Sequence, residues 1–231
     1  LGMDPPSRAH PLGCDPLGRD LLARLMVGGR VSLFVGLMVG VLTTVLGLVI
    51  GLAAGYFGRL VDNALMRFTD TMLALPTFFL LLAAAALLGP NLVNTVLIIG
   101  ATRWMTTARL VRGETLALRE KEFVTASRAL GAKDLRLIFR ILPHVMPTVL
   151  VAATLSVASG ILTESGLSFL GLGTQPPQSS WGYMLSGAQT YIWVNPLMSV
   201  YPGVLIMLTV LAVNFVGDGL RDALDPRLGE R

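Results

Sequence analysis

Few residues of this chain could carry out catalysis or hold a metal ion. It has two histidines, His10 and His144, and one cysteine, Cys14. An intramembrane serine protease needs a Ser and a His facing each other from different spans, and no G-x-S-x-G element is present. A single cysteine excludes an internal disulfide and a cysteine-based metal site. No G-x-x-x-x-G-K-[ST] loop occurs, and neither Lys121 nor Lys133 follows a glycine, so the chain lacks this device for cradling ATP phosphates.

The chemistry that remains is recognition by a charged insert, EFVTASRALGAKDLRLIFRILPH, at 122–144. Nine of the 18 Lys and Arg lie between Arg103 and Arg140. Taken as a helix, 113–131 is amphipathic. Its apolar face would carry Leu116, Phe123, Ser127 and Leu130. Gly131 is expected to cap this helix, and a second short helix should follow before Pro143 begins the next span. The alternative is a solvated linker on the lipid surface, although the low-relief centre TASRALGA suits a docking partner.

The rest of the chain must place this insert beside a membrane. It is 53% hydrophobic and 14% charged, whereas soluble domains are about 25% charged. Four stretches carry no charge, at 31–58, 71–102, 141–163 and 165–217. Roughly 20 apolar helical residues cross a hydrocarbon core about 30 Å thick. We therefore predict an all-α integral membrane protein, a polytopic helical bundle. The net charge of +4 fits membrane flanks and gives no reason to expect nucleic-acid binding.

Five spans are predicted, at about 31–57, 71–88, 92–111, 143–163 and 197–216. Alternate connecting segments hold 12 of the 18 Lys and Arg, against four on the opposite side and two inside the third predicted span, which assigns the 58–70 loop, the coupling helices at about 113–142 and the tail at 218–231 to the cytoplasm. Residues 1–30 then form an extracytoplasmic segment with an amphipathic lead-in. Their four basic residues strain this rule, and a further span upstream of Leu1 would explain them.

Glycines recur along the first predicted span at spacings of four and seven residues. They are Gly36, Gly40, Gly47, Gly51 and Gly55. Small residues on one helix face let backbones approach closely, so this stripe predicts a helix-packing seam. A pore-lining stripe is the alternative.

Several segments resemble the dipeptide/oligopeptide and nickel subfamily of ABC importer permeases, in particular its C-type subunit. The insert resembles the EAA loop of these permeases, with Thr125-Ala126-Ser127 at the triplet, Gly131 at the glycine and Leu142-Pro143 at its end. The other matching segments are HPLGCDPLGRDLLARLMVGGRVSL (10–33), GYFGRLVDNALMRFTD (55–70), LSFLGLGTQPPQSSWGYML (167–185) and GDGLRDALDPRL (217–228).

The resemblance implies the type I importer permease architecture in a bacterial cytoplasmic (inner) membrane, with five of six spans in this sequence. It implies a second permease subunit, two ATPase subunits that bind ATP and Mg²⁺, and an extracytoplasmic substrate-binding protein. No cofactor is expected in this chain, and catalysis is left to the partners. The residues expected to couple to the ATPases are Glu122, Thr125, Ala126, Ser127, Arg128, Gly131, Ala132 and Pro143.

Two rival transport functions remain beside peptide import. Nickel permeases are similar in sequence, but two histidines and no metal-ligand cluster give no support for a dedicated metal site. A proton-coupled carrier would bury acids at the membrane midplane, whereas the acids of this chain lie at or near predicted span ends.

Two charged residues are candidates for the translocation path. Arg103 lies about eleven residues, roughly 17 Å, into the third predicted span, and Glu164 lies at the outer end of the fourth. An outer acid and an inner base could meet the amine and the carboxylate of a peptide in turn. Alternatively, Arg103 extends to the cytoplasmic headgroups and Glu164 merely marks the interface.

Overall fold

A computed structural model describes residues 3–224, and within this range every regular element is a helix. The α-helices are α1 (Leu21–Phe57), α2 (Arg59–Ala74), α3 (Thr77–Leu88), α4 (Leu92–Ala101), α5 (Trp104–Arg119), α6 (Glu122–Ala129), α7 (Asp134–Phe169), α8 (Trp181–Ala188) and α9 (Leu197–Leu224). A 3₁₀ turn at Gln189–Tyr191 follows α8. The predicted all-α fold is confirmed. Residues 225–231 of the predicted tail lie outside the described range.

Three of these helices, α1, α7 and α9, are each long and apolar enough to cross a membrane. The pair α2 and α3 would form a fourth crossing if the two helices are taken together. α4 has only 10 residues and is too short to span the bilayer alone. α1 has 37 residues and α7 has 36, about 55 Å each, so both exceed the thickness of the hydrocarbon core.

The first helix begins ten residues earlier than its predicted span, 31–57. The Asp20 carboxylate accepts a hydrogen bond from the Ala23 N–H at 2.8 Å and thereby caps the first turn. The predicted lead-in at 1–30 is therefore divided, because 21–30 belong to α1 and residues 3–20 are not helical. That preceding segment is organised by the buried Asp15 carboxylate, which accepts hydrogen bonds from Arg19 and Arg24.

The charge state of Asp15 follows from these contacts. Burial alone would raise the pKa of its carboxyl. The hydrogen bonds from Arg19 and from the Leu17 N–H, together with the charge of Arg24, outweigh burial and lower that pKa below its usual range. Asp15 therefore stays ionised and holds the turn that leads into α1.

Two predicted spans are each divided by a break. The span predicted at 71–88 is interrupted at Leu75, which is extended because a proline follows it, and α2 and α3 are bent by 85° there. The span predicted at 92–111 is interrupted at Thr102 and Arg103. Both predictions of a continuous helix were wrong.

The second half of the chain contains longer helices than predicted. The fourth span, predicted at 143–163, is part of α7, which runs from Asp134 to Phe169 with Pro143 and Pro147 inside it. The last span, predicted at 197–216, continues to Leu224. The coupling segment predicted at 113–142 is therefore made of the end of α5, all of α6 and the first turns of α7.

The chain divides into two compact units, and the first comprises the described residues up to Met38, Leu81–Ile99 and Ala158–Ala212. Trp181 anchors α8 to α1 in this unit. Its indole N–H donates to the Leu25 carbonyl at 2.9 Å, and its ring fills the space that a side chain at Gly29 would need. Trp181 is 5% exposed, so it is buried against α1.

The second unit comprises Val39–Leu80, Gly100–Val157 and the described residues from Val213 onward. Here the glycine seam of α1 packs against α5. A Cβ atom at Gly47, Gly51 or Gly55 would lie 2.5–2.6 Å from atoms of Thr107, Ala108 or Thr115. The predicted helix-packing seam is therefore confirmed at these glycines, because only a residue without a side chain permits this approach.

Candidate functional site

Helix α6 belongs to the second unit. One of its faces packs against the other helices of that unit, and the opposite face is exposed. Val124 is completely buried, and Ser127 is 3% exposed. The opposite face is open and carries Glu122, Thr125, Ala126, Arg128 and Ala129. We call α6 and its two flanking turns, residues 121–133, the α6 elbow.

A glycine cap ends α6 and turns the chain toward α7. Gly131 has φ +79°, a left-handed conformation that costs glycine little. Its N–H donates to the Arg128 carbonyl at 3.0 Å, and the Ala132 N–H donates to the Ser127 carbonyl at 3.1 Å. These two bonds form a Schellman motif, which satisfies carbonyls left free at the helix end. The predicted role of Gly131 as a helix cap is confirmed.

An apolar cluster holds the inner face of α6. Val124 packs among buried side chains of α1, α5 and α7, namely Leu52, Tyr56, Val111, Leu137, Ile141, Val145 and Val149. Phe123 and Ala132 lie at the edge of this cluster. Burying one such side chain contributes about 1.5–3 kcal/mol, so the elbow is held by packing on three other helices.

Polar contacts reinforce this packing at both ends of the elbow. The Ser127 hydroxyl donates to the Phe123 carbonyl at 2.5 Å and accepts a hydrogen bond from the Arg140 guanidinium. The Phe123 and His144 rings stack with their centroids 4.8 Å apart. The Tyr56 hydroxyl donates to the Asp134 carboxylate at 2.7 Å, which ties the first turn of α7 to the end of α1.

Helix α5, which leads into the elbow, is fixed by its arginines. Arg112 donates to both carboxylate oxygens of Asp62 on α2, at 2.5 and 2.6 Å. Arg119 donates to the Tyr56 carbonyl at 3.2 Å. A Cβ atom at Gly58 would lie 2.8 Å from the same guanidinium, so the turn between α1 and α2 is shaped to admit Arg119.

Not all of the predicted coupling residues lie on the exposed face of the elbow. Ser127 points inward, because the break at Glu120 and Lys121 starts a new helix whose inner face includes it. Ala132 is half-buried against the apolar cluster. Pro143 is exposed but lies within α7, so it does not close the elbow.

Three apolar residues in and near the elbow are exposed, and this exposure was not predicted, since Leu130 was expected on the apolar face of its helix. Leu130 is 89% exposed, Leu135 is 69% exposed and Phe139 is 65% exposed. Large apolar side chains beside exposed charged residues are typical of a protein-binding surface. The signal available in the sequence was their position around Gly131 in an otherwise charged stretch.

The two candidate path residues lie in different units and environments. Arg103 is half-buried in the break between α4 and α5 rather than inside a continuous helix. Glu164 is completely buried five residues before the end of α7, so it lies inside this helix and not at its end. Its Oε1 accepts hydrogen bonds from Ser168 at 2.6 Å and Thr174 at 3.1 Å, and this carboxylate fastens the loop after α7 to the helix.

The fold and the elbow define an integral membrane subunit of the transporter-permease class. Residues 47–230 match the family described as binding-protein-dependent transport system inner membrane component, and the chain belongs to this family. It is therefore a multi-pass inner-membrane protein.

Relatives of known annotation match almost the whole chain. The dipeptide transport system permease protein DppC of Alkalihalophilus pseudofirmus is 43% identical over 224 residues, covering 96% of this chain and 74% of the relative. The di/tripeptide transport system permease protein DppC of Pseudomonas aeruginosa is 47% identical over 222 residues, covering 94% and 72%. The predicted family resemblance is confirmed.

A solved structure supports the same fold. A chain of the MetNI methionine ABC transporter, solved in inward-facing conformations, superposes with a TM-score of 0.69 and 21% sequence identity. The match covers 91% of this chain and 99% of that chain. The predicted type I importer permease fold is confirmed.

The cap at Gly131 gives a direct test of the elbow. Gly131→Val should make exchange of the Ala132 amide hydrogen roughly tenfold faster, because a side chain at φ +79° costs about 1–2 kcal/mol and weakens the bond to Ser127. No atom lies within 4 Å of a Cβ atom at this position, so the effect isolates backbone strain from steric clash.

Hydrogen–deuterium exchange with the chain in detergent measures this difference. Gly131→Asn is the matched control, since asparagine tolerates the left-handed conformation, and it should exchange at nearly the wild-type rate. Equal protection of Ala132 in the valine variant and the wild type would show that the cap does not hold the elbow.

Proposed function

We propose that this chain is the permease subunit of an ATP-driven importer of dipeptides and short oligopeptides, and that the exposed face of the α6 elbow docks on the ATPase subunits. The observation that carries the proposal is the difference in exposure between the two faces of α6. Val124 on one face is buried, and Ala126 on the other is exposed. Helices α1, α5 and α7 support its inner face, so a load applied to the outer face would reach all three. The relatives named for dipeptide and di/tripeptide transport support the substrate class.

The division of labour assigns ATP and Mg²⁺ to the partner subunits. This chain would supply the membrane path together with a second permease, and a binding protein would deliver the substrate. Nickel is the second candidate substrate. The names of the relatives favour peptides, and among residues 3–224 no three His, Cys, Asp or Glu side chains are grouped so that they could hold a metal ion.

Uptake by whole cells tests the proposal. Ala126→Asp places a carboxylate on the docking face, and an uncompensated charge buried in an interface costs about 3 kcal/mol or more. We expect ATP-dependent uptake of a labelled dipeptide to fall at least about tenfold at equal membrane abundance. The matched control is Ala117→Asp, which puts the same charge on an exposed position of α5, outside the elbow.

The assay separates two kinds of failure. ATP-dependent nickel uptake without dipeptide uptake by the wild type would overturn the substrate and keep the importer. Dipeptide uptake that Ala126→Asp leaves unchanged would overturn the docking assignment.

We further propose that Glu164 and Arg103 contribute charge to the translocation path. Gln at position 164 keeps an oxygen that can accept the bonds from Ser168 and Thr174, so Glu164→Gln should fold normally. It should slow peptide uptake because it removes the charge, and Arg103→Gln should do the same. Wild-type uptake rates in both variants, at equal abundance, would leave these residues with structural roles only.

A further inference from the structure

Helix α2 presents three distinct faces to its surroundings. The inner face packs against the rest of the second unit, to which α2 belongs. It includes the fully buried Thr69 and the half-buried Leu65 and Met72. A second face is apolar and exposed. The third face is polar and exposed. The last two together form what we call the outer face of α2.

The acids of α2 are already neutralised by α5. Asp62 binds both donors of the Arg112 fork, and Asp70 accepts a hydrogen bond from Arg109 at 2.5 Å. The Asp62–Arg112 pair is bidentate and restricts the orientation of α2 on α5, and the exposed Asp70–Arg109 pair adds a single bond. They also leave the basic residues of α2 without a compensating charge on their own helix.

Two arginines therefore remain on the outer face. Arg59 and Arg67 are exposed, and within the described part of the chain neither side chain forms an ion pair or a hydrogen bond. They lie eight residues apart with Asn63 between them, so all three line one stripe along the helix. The sequence of α2 sums to zero charge, but its outer face carries two positive charges.

An apolar stripe runs beside these arginines. Leu60 is 84% exposed, and Ala64 and Phe68 continue the stripe at spacings of four residues. A helix with neighbouring exposed apolar and basic stripes is typical of helices that lie in a membrane interface. The long arginine side chains can then reach headgroup phosphates while the apolar stripe contacts acyl chains.

The break at Leu75 gives α2 the direction that this role needs. α2 is bent by 85° from α3, which is a charge-free run of 12 residues, TFFLLLAAAALL. If α3 enters the bilayer along its normal, α2 lies nearly parallel to the membrane surface.

We propose that the outer face of α2 is a binding site for anionic phospholipid, with Arg59 and Arg67 contacting the headgroup phosphate. Each basic residue at an anionic surface contributes about 1 kcal/mol, or about a fivefold preference for anionic over zwitterionic lipid. The site would fix α2 at the membrane surface from outside, as Arg112 and Arg109 fix it from inside. This inference depends on membrane location and not on the transported substrate.

Photo-crosslinking in liposomes tests the site. The full chain with its partner subunits is reconstituted in phosphatidylcholine that contains a trace of photoreactive phosphatidylglycerol or, in a parallel sample, photoreactive phosphatidylcholine. Adducts are mapped by peptide mass spectrometry. In the wild type, the segment 59–75 should favour phosphatidylglycerol. Arg59→Gln should lower that preference about fivefold, and adding Arg67→Gln should lower it further.

Three controls make the result decisive. Arg59→Lys with Arg67→Lys keeps the charge and should keep the preference. Arg8→Gln removes one exposed charge before α1 and should leave the α2 adducts unchanged. Adducts elsewhere in the chain report folding of every variant. Equal adduct ratios at 59–75 in the wild type and the double glutamine variant would overturn the proposal. So would the absence of both lipid adducts from this segment, which would mean that a protein subunit covers the face.

Discussion

The burial of Val124 is the interaction on which the α6 elbow depends. α6 has eight residues, and an isolated helix of that length is unstable in water, so it persists only because its inner face is packed. The packing partners belong to α1, α5 and α7, and the same cluster therefore joins the elbow to three longer helices. A displacement of α6 that kept Val124 buried would have to move those helices as well.

Polar and ring contacts connect the α6 elbow most directly to α7. Phe123 of the elbow stacks on His144, and Arg140 donates a hydrogen bond to the Ser127 hydroxyl. Asp134 accepts a hydrogen bond from the Tyr56 hydroxyl of α1. All three partners on α7 lie within its first eleven residues, and the helix then continues without a break to Phe169. A movement of α6 would therefore act on the first turns of α7.

The sequence predicted the features that have a local cause. Charge-free stretches predicted apolar helices, spaced glycines predicted the seam, and Gly131 predicted a cap, because each depends on residues near one another in the chain. The break at Thr102 and Arg103 contains no glycine or proline, and Gly100 just before it lies inside α4. The break at Glu120 and Lys121 was missed for the same reason, and it changes which residues of α6 face inward. Pro143 had the opposite effect. It predicted a boundary between two helices, whereas α7 contains it without a break.

The partners in ion pairs and hydrogen bonds between helices could also not be predicted from the sequence of a single helix. Asp62 and Arg112 are 50 residues apart, and Glu114 accepts a hydrogen bond from Thr148, 34 residues away. Spacing along one helix cannot show which acid meets which base, and so it could not show that the two acids of α2 pair with α5 while Arg59 and Arg67 form no ion pair within the described residues. The buried Glu164 is similar, because its partner Thr174 follows a turn whose geometry is set by Ser168.

Cysteine cross-linking across the elbow tests the central claim, that α6 docks by one face and is anchored by the other. Two neighbouring positions are compared in a Cys14→Ser background, Ala126→Cys on the exposed face and Ser127→Cys on the buried face. A short bismaleimide is added to the assembled transporter in membranes, and adducts to the ATPase are counted. The account predicts an ATPase adduct from position 126 and almost none from position 127. Adducts of equal yield from both positions, or an adduct from position 127 alone, would contradict it.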